Sequence, residues 1–343
     1  MQALLCVDRF AYDRFASILR HLCVGLVDQA IPLRIVGSDP RIESLRLGPV
    51  QAVVHPPIAG LTAGRRLDRL LDSLSAQPPT VVHAVSCGTY RTAAAITQEF
   101  EADLVLGVTS LRDCEAAGSL RQRGDVHFQA WSEALAGVLE KRLGIERARI
   151  EVVAPGVPAA TKAAAFAHVG RVPTFVSTSA FENESGLDRL LFAVHKLVER
   201  KTELQVFLIG EGARERALRK IVRTKNLSGH VAFTPRMEDL STVFGGADAF
   251  VHSSSSPEFP ADTLQAMGMG LAVLTGSDEV SDHHLNGETA MLLADDSADA
   301  IADAIDRLLR DPTSAQQMAA AGMEYVRRNH GVSAMAEKLA AVY

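Results

Sequence analysis

Long apolar runs are missing from this sequence: no stretch approaches the ~18 residues needed to cross a bilayer, and the start MQALLCVDRF is broken by Asp8 and Arg9. It reads as a first strand and not as a secretory signal, which places the protein in the cytoplasm. Cysteine is scarce. The four present, Cys6, Cys23, Cys87 and Cys114, show no CxxC or metal-like spacing, the pattern of free thiols in a reducing compartment. Excess charge is also absent: a formal net charge of −6 gives no general attraction to nucleic acid or to anionic membranes. Internal repeats, low-complexity tracts and basic residues interleaved with aromatics are lacking too, so no nucleic-acid partner is expected. His283 and His284 are adjacent, but Asp282 is the one acidic neighbour at hand and no Cys accompanies them. No metal site follows from that pair.

What is present is the composition of an ordinary globular protein, with 47% hydrophobic and 22% charged residues. A chain of 343 residues exceeds what one core usually supports, and two domains are expected. The first half alternates strand-like and helix-like pieces: ALLCV, a helical FASILRHLCVGLVDQA, LRIVG, QAVVH, a helical LDRLLDSL, TVVHAV, an Ala-rich helix opened by Ser86 or Thr89, LVLGVTS, a helical HFQAWSEALAGVLEKRLG, and IEVVAP. Such alternation marks βαβ units and a parallel sheet. Residues 156–172 lose the rhythm and collect Gly, Pro and Ala, the composition of a connection. The alternation then restarts with TFVSTS and continues through LQVFLIG, VAFTP and AFVHSS, and the tail is helical with breaks at Pro312 and near Gly331. Two domains result: residues 1–170, joined by the last helix at 331–343, and residues 171–330.

Residues 251–293 hold the densest set of candidates. In open parallel sheets ligands bind outside the carboxyl ends of the strands, and here a strand end, a loop carrying Glu258, Phe259 and Pro260, and a helix-like TLQAMGMG follow one another. A carboxylate there can hold hydroxyls; an exposed loop acid has the same signature. Gly210 and Gly212 in LIGEGA allow close backbone approach where a helix begins and N–H groups favour phosphate, although a tight turn explains them equally. Arg236 and Met237 follow a strand end, and a surface Arg with a packing Met reads the same way. The basic run at residues 214–225 is the solvated face of a helix. Cys87 has no convincing base partner and reads as an inert thiol.

VVHA at 81–84, IEVVAPGV at 150–157, LQVFLIGEG at 204–212, HVAFTPRM at 230–237, GADAFVHSS, QAMGMGLAVLT and NGETAMLL occur in an order that resembles the family-4 (group 1) glycosyltransferases. The resemblance implies the α/β GT-B fold, two Rossmann-like, doubly wound domains facing a cleft, with the C-terminal helix crossing back to the first. It further implies a nucleotide diphosphate sugar as donor, no metal or other cofactor, and Thr263, Leu264 and Gln265 beside the donor. The family's motif residues are displaced here. Ala180 and Ser185 stand where its Arg and Lys would neutralise the diphosphate, Gln265 and Pro257 where its paired glutamates stand, with Glu258 one place late, and Thr109 where its first-domain His falls. Asp278, Glu279 and Asp282 replace small or acidic family positions, and their charge there is expected to repel a diphosphate. Two readings stay open: a retaining glycosyltransferase moving a hexose to a glycan, lipid or protein acceptor, or an inactive GT-B-like binding subunit. A peripheral membrane contact and a protein partner are both compatible with either.

Overall fold

The computed structural model describes all residues except 169, 183, 184, 238 and 254–256. The first half builds one parallel sheet from β1 (Ala3–Cys6), β2 (Leu33–Gly37), β3 (Gln51–Val54), β4 (Val81–Ala84), β5 (Asp103–Val108), β6 (Val126–Ala130) and β7 (Ile150–Val152). Its order is β3-β2-β1-β4-β5-β6-β7. A second parallel sheet contains β8 (Thr174–Thr178), β9 (Gln205–Ile209), β10 (Val231–Thr234), β11 (Ala249–His252), β12 (Ala272–Thr275) and β13 (Met291–Leu292), in the order β10-β9-β8-β11-β12-β13. Both orders reverse direction once, between β1 and β4 and between β8 and β11. Those are the topological switch points where a doubly wound sheet opens a crevice.

Strands β1, β2, β4 and β12 are buried at every position, as expected of parallel strands covered on both faces. One segment departs from the sequence expectation: HFQA, read as the start of a helix, is the end of β6, and the helix begins at Glu133. The reason is local. Ser132 takes an extended backbone and its Oγ accepts from Leu135 N at 3.1 Å, capping the helix there. A helix Leu111–Ala117, unread in the sequence, is capped in the same way by Ser110.

The last helix, Val332–Val342, returns to the first domain and lies on the helix Arg9–Asp28. A Cβ added at Gly25 would stand 2.6 Å from the Ala336 Cβ, so these two helices meet closely because Gly25 has no side chain. Beyond that helix the Tyr343 hydroxyl lies 2.8 Å from Nδ1 of buried His83 on β4. Among the described residues no helix is long and apolar enough to cross a membrane.

The two domains dock through backbone as well as side chains. Phe259 N donates to Thr109 O at 2.8 Å and Leu111 N donates to Pro257 O at 3.1 Å, forming an antiparallel bridge of Ser110 with Glu258. A ring series backs this bridge: Phe15 and Trp131 of the first domain, then Phe259, with centroids 4.5 and 5.5 Å apart. Asp282 completes the docking. Its carboxylate accepts from Glu133 N at 2.6 Å and Ala134 N at 3.1 Å, capping a first-domain helix from the second domain.

Candidate functional site

A cavity of about 480 Å3 opens between the carboxyl ends of the two sheets. The second domain contributes the end of β8 with Ser179 and Ala180, the turn Ile209 to Gly212, Arg236 and Met237 after β10, His252 at the end of β11, and Asp262 and Gln265 on the helix Ala261–Gly268. From the first domain come Arg9, Phe10, Asp13 and Arg14 on the helix that follows β1, together with Arg41. The structure therefore brings Gly210, Gly212, Arg236, Met237 and Gln265 together. A smaller cavity of about 260 Å3 adjoins it, lined by Glu258, Pro260, Thr275 and Asp278, and His252 borders both.

The other expected donor contacts lie elsewhere. Thr263 and Leu264 are fully buried, and the Thr263 hydroxyl is within 3.1 Å of His283 Nε2 and 2.7 Å of His284 Nε2. One turn of an amphipathic helix must face the core, and these two residues are on that face, so their side chains do not line the cavity. Thr109 is buried as well and donates its hydroxyl to Asp113 at 2.8 Å. Ser185 is buried and bonds Glu182 O at 2.9 Å. Of Ala180, Ser185 and Thr109, Ala180 alone lines the cleft.

Both glycines have a structural reason. A Cβ at Gly210 would lie 1.9 Å from Ser179 O, and one at Gly212 would lie 2.6 Å from Phe181 O, with φ of 155° and 158°. The turn after β9 can lie flat against the segment after β8 only without side chains. That same closeness leaves bare backbone facing the cavity.

Guanidinium groups, lacking at positions 180 and 185, come from across the cleft. Arg14 Nη2 stands 3.6 Å from Glu258 Oε2. Asp13 gathers three more: Arg41 Nη1 at 2.8 Å, Arg236 Nη1 at 3.2 Å and Arg9 Nε at 3.5 Å. Arg236 also donates to Asp13 O, which ties the loop after β10 to the first domain. Asp262 was not singled out in the sequence. Burial raises its pKa, and the Thr178 hydroxyl that donates to it, with the charges of Arg14 and Arg236, pulls the other way. The signal was there: an acid in the first turn of a helix that follows a proline. His252 was likewise missed. Burial, with His284 and Arg14 nearby, holds its pKa down at about 4, so it enters the cavity as a neutral ring able to donate and accept.

The acids after β12 each have a protein partner. Asp282 caps the helix Glu133–Lys141. Glu279 reaches outward to Arg142 at 3.4 Å. Asp278 accepts from Val280 N at 2.9 Å, Ser281 N at 2.7 Å and His284 Nδ1 at 2.9 Å; burial opposes its charge, yet the His284 contact and these donors hold it down at about 2. Cys87 is half-buried, and burial with the Asp113 carboxylate pushes its thiol up to about 12, so it is no nucleophile. Among the described residues no group of His, Cys, Asp or Glu is arranged to hold a metal.

Residues 160–325 match the family model of glycosyl transferases group 1. The match to that family covers most of the second half of this chain. An uncharacterized glycosyltransferase, YqgM, of Bacillus subtilis is 28% identical over 157 residues, 45% of this chain and 44% of that protein. A D-inositol 3-phosphate glycosyltransferase of Corynebacterium diphtheriae is 31% identical over 201 residues, 55% of this chain and 43% of that protein. A GDP-mannose-dependent phosphatidylinositol monomannoside mannosyltransferase of Mycobacterium tuberculosis is 28% identical over 185 residues, 50% of this chain and 47% of that protein. The matched stretch is thus less than half the length of each of these relatives. Among solved structures, Anabaena HepE with bound UDP-glucose superposes with a TM-score of 0.82 at 13% identity, covering 100% of this chain and 99% of that one. Sucrose-phosphate synthase of Thermosynechococcus elongatus gives 0.81 at 17% identity, over 100% and 98%. The chain therefore has the GT-B fold over its whole length.

Proposed function

We propose that this protein is a retaining glycosyltransferase that moves a hexose from a nucleotide diphosphate sugar to a hydroxyl acceptor, without a metal. One observation carries the reading: the cavity at the paired switch points joins bare glycine backbone and Gln265 on one wall to guanidinium groups on the other. In the transfer, the bond between the anomeric carbon and the phosphate oxygen breaks and its electron pair leaves with the nucleoside diphosphate. The acceptor oxygen bonds to the carbon and gives up its proton to the departing phosphate. Negative charge grows on the diphosphate, and fixed cations placed there favour the transition state over the ground state. Arg14, with Arg9 and Arg41, takes that part in place of cations at positions 180 and 185. Gln265, whose amide donates and whose carbonyl accepts, suits ribose hydroxyls; Arg236 and Met237 border the base, and Glu258 faces the transferred sugar from the smaller cavity.

Calorimetry with UDP and with GDP is the direct test, because relatives and structural neighbours carry one or the other in their names. Binding of one nucleotide, together with retention at the anomeric carbon in the product by NMR, is the expected result. Failure of both to bind at millimolar concentration overturns the reading in favour of a GT-B-like binding subunit.

A further inference from the structure

At the opposite end of the first sheet from the cleft, a depression of about 370 Å3 lies over the amino-terminal ends of β1, β2 and β3. Its volume falls in the range of small-molecule sites. Arg34, the second residue of β2, lines it and is only 5% exposed. Its Nη2 donates to Gln77 O, while its Nε is buried without a partner. Among the described residues no carboxylate pairs with it, and the remaining lining is apolar (Ile31, Pro32, Pro49) or amide (Gln2, Gln51, Gln77), with no acid. A buried cation that lacks a counter-charge is costly to a fold. Burial already lowers the guanidinium pKa, yet an arginine stays charged.

We propose that this depression is a binding site for a small organic anion, a carboxylate or phosphate monoester on an uncharged body, with Arg34 as its cationic contact. The anion supplies the missing charge and accepts from the free guanidinium N–H groups, a charge-assisted pairing stronger than the bond to a neutral carbonyl. The amides lining the depression suit hydroxyl or carbonyl groups on the body of the ligand. The site does not depend on the activity proposed for the cleft.

Thermal unfolding of the full chain at constant ionic strength, with inorganic phosphate, citrate or chloride alone, tests this. Phosphate or citrate at several times its Kd raises the Tm by about 2–4 °C over chloride, and the larger of the two rises tells a phosphate site from a carboxylate site. Arg34→Met and Arg34→Gln, the second of which keeps a donor for Gln77, both lose the rise. Arg14→Leu keeps it, which separates this site from anions held in the cleft. In chloride alone Arg34→Met is at least as stable as the native chain, since it removes an unpaired charge. A rise that persists in both Arg34 variants, or no rise in the native chain, overturns the proposal; so does a lower Tm of Arg34→Met in chloride, which marks Arg34 as a structural donor.

Discussion

Where the second domain meets the cleft it offers Ala180, Gly210, Gly212 and Gln265, none of them charged, and the acids Glu182, Glu211 and Asp262, with Arg236 as its cation. The first domain faces it with Arg9, Arg14 and Arg41. Positive charge has thus been placed on the wall that the resemblance associates with the acceptor. A cation can serve a diphosphate from either side, because the Coulomb term depends on distance and local dielectric and not on which chain segment bears the charge. Preorganisation is what differs: in the proposed reaction a first-domain arginine serves the phosphate only while the domains are docked, and the Glu258 bridge and the Asp282 cap hold them together.

The largest expected effect tests that placement directly. Arg14→Leu lowers kcat/KM by ~10²–10³-fold, about 2.7–4 kcal/mol of transition-state stabilisation by analogy with loss of an oxyanion donor, while Ala180→Arg in the same background recovers part of it. Steady-state kinetics of donor hydrolysis read both; a fully active Arg14→Leu ends the claim that charge has crossed the cleft. Next in size, Gly210→Val destabilises the second domain by about 3 kcal/mol, because its Cβ would stand 1.9 Å from Ser179 O. Urea unfolding measures the loss.

A pH effect follows in the first domain and at the domain junction. His83, held down at about 4 by burial, and His283, held well below the usual 6.5, stay neutral in the fold while the unfolded chain protonates them. Because the unfolded state binds more protons, stability is complete above pH 6.5 and falls as pH drops from 6.5 toward 4, by about 1.4 kcal/mol per pH unit for each ring. Urea midpoints at pH 7 and pH 5 record it, and His83→Asn reduces the difference. The smallest effect is at the interdomain cap: Asp282→Ala costs about 1 kcal/mol of stability and raises KM for the donor more than it lowers kcat, since the docked wall becomes less populated.

Much of this architecture was legible from pattern. Alternating apolar runs gave both sheets, because parallel strands buried on two faces leave a strong apolar signature; the cleft between them came with the family resemblance. HFQA was misread because Phe128, Trp131 and Leu135 stand at helical spacing while Phe128 and Ala130 fit a strand, and only the Ser132 cap decides where the helix begins. At the cavity, Gly210, Gly212 and Arg236 could be found because each lies just after a strand end, and Gln265 came with the family resemblance. That the side chains of Thr263 and Leu264 turn inward could not be read, since which face of the helix Ala261–Gly268 is buried depends on packing against His283 and His284. Arg41 and Asp13 come from separate βα units and meet only in three dimensions. Their partnership with Arg236 leaves no trace in spacing.

The bridge between Thr109, Leu111 and the loop carrying Glu258 is made by main-chain groups alone, and that bears on how such proteins diversify. Main-chain hydrogen bonds are indifferent to the side chains that ride on them. Substitutions along 109–111 and 257–259 leave the docking intact so long as both segments stay extended. Where backbone passes backbone neither half has such latitude: a Cβ at Gly37 would stand 2.3 Å from Val7 O in the first half, and one at Gly210 would stand 1.9 Å from Ser179 O in the second.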